Sequence, residues 1–68
     1  MLILQTKYAI CRISPFIEFH AGSGEMTERF EEIEMYPSKE DAQAEIDTWD
    51  EEAKDGVKIV PIEITCRL

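Results

Sequence analysis

Chemistry in a short chain needs side chains that can converge, and few are available here. His20 is the single histidine, and Cys11 and Cys66 are the two thiols. No Cys/His pair has the close spacing of a zinc site. His20 stands between Phe19 and the loop-like run Ala21-Gly22-Ser23-Gly24, so it is expected as a solvated loop histidine with no catalytic or metal role. Gly22-Ser23-Gly24 lacks both the Lys-Ser/Thr of a phosphate loop and the third glycine of a dinucleotide fingerprint, and reads as a flexible turn. Asp47, Asp50, Glu51, Glu52 and Asp55 precede Gly56, but calcium loops alternate their ligands in non-helical backbone. On a helix these carboxylates point apart. No catalytic residue, cofactor or metal is expected, and the chain reads as a non-enzyme.

What remains is the acid array itself. The chain has 68 residues, 15 acids and 7 bases, for a net charge of −8 with His20 neutral. The segment from Glu25 to Asp55 holds 13 of those acids against Arg29, Lys39 and Lys54, and the remainder is slightly basic. Phosphate backbones are polyanions, so direct nucleic-acid binding is disfavoured and the natural partners are basic proteins. At about 100° per residue, a helix through this segment sets Glu40, Asp47, Glu51 and Asp55 along one outward ridge, with Asp50 on its flank. The pairs Asp41/Glu45, Asp47/Glu51 and Glu51/Asp55 then repel at i,i+4, whereas ordinary surface helices alternate signs. The ridge fits a docking face for a basic surface; a solubilising face is the competing reading.

The elements that must position these groups follow from local pattern. Leu2–Ile13 is rich in branched and aromatic residues and ends at Ser14-Pro15, which marks a first strand. Ala9, Cys11 and Ile13 share one face and Tyr8 and Ile10 the other, so both faces need cover. Phe16–His20 extends that strand past a bend, and Glu28–Tyr36 returns as the second strand of a hairpin. Phe16, Ile17, Phe19 and Met26 flank the tip, either folding back over the sheet or forming an apolar patch or homodimer surface.

The helix signals are the strongest. Ser38 is a good N-cap, with Asp41 three residues on, and Gly56 after Lys54-Asp55 is placed for a left-handed C-terminal cap. Between them Ala42, Ile46, Trp49 and Ala53 make one apolar stripe toward the sheet, with Trp49 buried in the interface. In the last strand Val60, Ile62, Ile64, Cys66 and Leu68 share a face opposite Pro61, Glu63, Thr65 and Arg67. Pro61 belongs at an edge, a bulge or a strand start. The expectation is a single α+β domain over 1–68 of order β-β-α-β, a three-stranded, mainly antiparallel sheet on one amphipathic helix.

The N-terminus lacks the basic region and long apolar stretch of a secretory signal, and no membrane span is present. Cys66-Arg67-Leu68 is one residue short of a prenylation box. Both cysteines read as reduced strand residues of a cytoplasmic protein, although neighbouring first and last strands would leave a disulfide geometrically available.

From Tyr36-Pro37-Ser38-Lys39-Glu40-Asp41-Ala42 into the acidic helix and closing strand, the chain resembles small acidic phage proteins that inhibit host machinery. Anti-CRISPR proteins and a small phage inhibitor of bacterial RNA polymerase belong to that group. The resemblance rests on size, charge and element order. It implies a stoichiometric inhibitor acting in the host cytoplasm by occupying a basic nucleic-acid channel or locking a protein surface. On that reading Glu40, Asp47, Asp50, Glu51 and Asp55, with Phe16 and Phe19 at the tip, carry the contact.

Overall fold

Alternating branched residues at both ends of the chain pair with each other. In the computed structural model, which describes residues 1–13, 16–22 and 25–68, β1 (Leu2–Arg12) and β4 (Val57–Arg67) form an antiparallel ladder eleven residues long. β2 (Glu18–His20) pairs with the end of β1 through Cys11↔Phe19 and Arg12↔Glu18, and β3 (Met26–Thr27) pairs with β2. The sheet order is β3-β2-β1-β4, four strands rather than the three expected.

The first hairpin is therefore earlier and tighter than the sequence pattern suggested. Glu18–His20 reverses against β1 instead of extending it. The returning strand is only Met26–Thr27, and Glu28–Tyr36 is not a strand. A 3₁₀ turn over Phe30–Glu32 interrupts it, held by Thr27 Oγ1 against Glu32 Oε1 at 2.6 Å. Its last residue still reaches the sheet, because Tyr36 exchanges two backbone hydrogen bonds with Tyr8, at 2.8 and 2.7 Å, where β2 is too short to serve β1. Gly22 closes the β2–β3 turn at a φ of +82° and accepts from the Glu25 N–H. Ser23 and Gly24 of the expected loop, and the Ser14-Pro15 strand end, lie outside the described residues.

The helical segment starts and stops where expected but is not one helix. Ser38 caps α1 (Lys39–Ile46), its Oγ accepting from the Asp41 N–H at 3.2 Å. Gly56, at a φ of +76°, follows α2 (Glu51–Lys54). Between them the chain tightens, with Thr48 and Trp49 N–H groups bonding to the Glu45 and Ile46 carbonyls, and Asp50 is extended at a ψ of 156°. A β-branched residue, an aromatic and an aspartate in succession are weak helix formers, and Asp50-Glu51-Glu52 is itself a helix-start signal.

Packing uses the two sheet faces differently: Ala9 and Cys11 are buried on one, and the helices cover the other. The strand registers put Ile10, Arg12, His20, Val57 and Ile59 on the same side. Ile10, Ala42 and Ile46 form the buried cluster there, with Tyr36, Trp49, Val57 and Ile59 packed around it. Trp49 is half-buried, less enclosed than the stripe predicts. The conspicuous apolar row of β4, Val60 to Leu68, lies on the other face, away from α1.

β4 is an open edge that Pro61 interrupts. Tyr8 spends its backbone groups on Tyr36, so its cross-strand neighbour Pro61 sits at a position whose missing N–H would point outward. The radius of gyration, 12.7 Å, exceeds the ~11 Å expected for a compact chain of this length, because the far end of the β1/β4 ribbon projects past the helices. Cys11 faces Lys58 while Cys66 faces Ile3, about 27 Å apart along the ladder, so the two thiols cannot pair within one chain despite neighbouring strands. No described helix is long and apolar enough to cross a membrane.

Candidate functional site

The break between α1 and α2 lines a concavity. A cleft of about 610 Å³ opens between α2 and strands β1–β3. Arg12, His20 and Met26 come from the strands, and Trp49, Asp50, Glu52, Ala53, Asp55 and Gly56 from the break, α2 and its end. Had the helix run straight, Trp49 would have followed Ile46 along one stripe. The tightened turn instead brings its ring to His20.

His20 is not the solvated histidine expected. It is 1% exposed, and its imidazole lies 4.9 Å from the Trp49 ring, centroid to centroid. The reason is register: β2 alternation sends Phe19 to the Cys11 face and His20 under the helices. The Glu45 Oε1 comes to 3.5 Å of Nε2, close enough for an ion pair on protonation, yet no hydrogen bond forms. Nε2 is thus a buried polar atom without a hydrogen-bond partner, which costs free energy unless something else satisfies it. Cys11 lies on the opposite sheet face, so the thiol and imidazole do not form a nucleophile–base pair.

Arg12 ties the two sides together. Its guanidinium donates to the Ala53 carbonyl at 2.8 Å, across 41 residues, which pins α2 to β1. A second pinned ionisable group is Tyr36, whose phenol is pushed up to about 12 by burial and by the Glu45 and Glu34 carboxylates.

The expected contact residues do not form one ridge. Glu40 is exposed on α1, and Asp47 caps its end while accepting from Gln43 Nε2 at 2.9 Å. Glu51 opens α2 and pairs loosely with Lys54 at 3.7 Å. Asp50 precedes α2 and Asp55 follows it, both exposed and both on the cleft wall. Because the helix breaks, Asp47 and Glu51 are not helical i,i+4 neighbours and the expected repulsion between them is relieved, whereas Glu51 and Asp55 still stand one turn apart at the two ends of α2. Phe16 is exposed, whereas Phe19 is half-buried in β2 on the face away from α1. The acids and the two phenylalanines therefore do not make a single surface.

Local pattern carried no signal for Arg12, His20 and Trp49 as a group. Only Asp50, readable as a second N-cap, hinted at the break that assembles them. Among the described residues no group of three or more His, Cys, Asp and Glu is placed to hold a metal ion. No family model, curated protein or solved structure matches this chain.

Proposed function

We propose that this protein is a non-catalytic binding module, an inhibitor or adaptor whose acidic face docks on a basic protein surface of the kind that nucleic-acid-binding complexes present. The observation that carries this reading is the state of the acids. Glu40, Asp47, Asp50, Glu51 and Asp55 are all exposed, and among the described residues only Glu51 has a cationic partner, itself loose. Unpaired carboxylates gathered on the helical side create a negative field that attracts and orients a cationic partner. The small-inhibitor likeness of charge and element order agrees with stoichiometric action. The test is association with an arginine-rich polypeptide at low and high salt. Electrostatic docking loses association rate steeply as salt rises, and salt-independent binding would refute it.

A second reading rests on the other face. Ile62 and Ile64 are half-buried, and Cys66, Ile3 and Leu68 are exposed along the β1/β4 ribbon with no helix over them. Self-association through this face would hold in high salt and would respond to Ile64→Lys in sedimentation.

A further inference from the structure

We propose that β4 pairs edge to edge with β4 of a second copy, antiparallel about a two-fold axis through Thr65, so that two four-stranded sheets join into one. The inference rests on the second reading above, self-association of the ribbon, and names its contact and its register.

The backbone is the first ground. Among the described residues β4 pairs with β1 alone, and its other side is open. Because Tyr8 gives both backbone groups to Tyr36, its neighbour Pro61 is not bonded to β1, whereas Met1 and Leu68 exchange two bonds, at 3.0 and 2.7 Å. Antiparallel alternation between these two points turns the N–H and C=O groups of Glu63, Thr65 and Arg67 outward. All three residues are exposed. Pro61 supplies no donor, so the stretch able to pair begins after it.

Charge selects the occupant and the register. Centring the pairing on Thr65 sets Glu63 directly across from Arg67 of the second copy, and Arg67 across from Glu63. Centring it on Glu63 or Arg67 opposes like charges, centring it on Ile64 brings Pro61 into a hydrogen-bonding position, and centring it on Cys66 sets Arg67 against Thr65. A charged edge ordinarily blunts strand addition, but opposite charges placed symmetrically about Thr65 make this edge complementary to itself, as a two-fold contact requires.

The apolar residues agree with the same register. It sets Leu68 across from Ile62 and Cys66 across from Ile64 of the second copy. Leu68 is 71% exposed, and Met1, Leu2, Ile3 and Leu4 are exposed around it at the ribbon end that no described helix covers. Self-repulsion of the net −8 chain is weakest here, because β1 and β4 carry Lys7, Arg12, Lys58 and Arg67 against Glu63 alone.

The experiment is sedimentation velocity of the intact protein at physiological salt, over a concentration series reaching about 1 mM. A dimer is expected. Glu63→Arg and Arg67→Glu should each raise its dissociation constant about tenfold or more, and the two changes together should restore it, since the pair is only exchanged. Thr65→Pro removes an outward N–H that β1 does not use, so it should abolish the dimer and keep the circular dichroism of the parent. If Thr65→Pro fails to fold, the charge exchange decides alone.

A dimer that survives Thr65→Pro and both single reversals yet dissociates with Ile64→Lys would overturn the edge pairing and leave face-to-face self-association standing. Single reversals that dissociate the dimer without recovery in the double exchange would overturn the pairing as well. A monomer throughout the series would overturn both readings.

Discussion

The imidazole of His20 and the indole of Trp49 meet at 4.9 Å with their planes tilted by 57°, joining a residue of the shorter inner strand to the break between the two helices. That contact leaves Nε2 buried without a hydrogen bond. Removing an unsatisfied buried polar atom while preserving shape is neutral or stabilising. His20→Phe is therefore expected to hold or raise the urea midpoint, and a loss of more than about 1 kcal/mol would show that the imidazole is satisfied in solution.

The core beneath the helices is small, so truncation there is severe. Ile10 is fully buried, and Ile10→Ala should cost about 2–5 kcal/mol. Trp49→Ala should cost about 2–3 kcal/mol, below the range for an enclosed tryptophan, because the residue is only partly buried. Chemical denaturation of both variants checks the order.

The helix ends offer two independent local tests. Ser38→Ala removes the acceptor for the Asp41 N–H and should cost about 1 kcal/mol. Gly56→Ala meets no neighbouring atom but strains a φ of +76°, at about 1–2 kcal/mol. Gly56→Asn should recover part of that loss, since asparagine tolerates the left-handed region.

Tyr36 predicts an alkaline weakness. The unfolded phenol ionises near 10 and the folded one near 12, so the folded chain holds the proton longer. Its stabilisation is complete below pH 10 and is lost as the pH rises from 10 through about 12. The melting temperature of Tyr36→Phe should fall less steeply across that window than that of the parent protein.

Charge reversal separates docking from solubility. Asp47→Lys with Glu51→Lys should change stability by less than about 0.5 kcal/mol, because only an exposed pair and an exposed side-chain bond are lost. Association with an arginine-rich polypeptide should nevertheless fall steeply, read by surface plasmon resonance. Unchanged affinity in the folded double variant would sink the acidic-face reading and move attention to Phe16 and the ribbon face.

Signals that act within a few residues are legible in the sequence itself. Ser38 announces a helix start and Gly56 its end, because a cap and a left-handed residue are settled by the adjacent backbone. The β4 alternation likewise shows which side chains share a face. It cannot show which face a helix will cover, and here the shorter row, Val57 and Ile59, won because it lies across from Ile10. The helical spacing of four, three and four through Ala42, Ile46, Trp49 and Ala53 concealed the break, since a straight and a broken helix leave much the same apolar spacing.

Charge segregation, the α+β class and the helix limits thus belong to the sequence, each a property of neighbours in the chain. The burial of His20, its meeting with Trp49 and the bond from Arg12 to Ala53 belong to the fold. They join residues 29 and 41 positions apart, and only strand register and the turn at Thr48–Asp50 decide that such distant groups face one another.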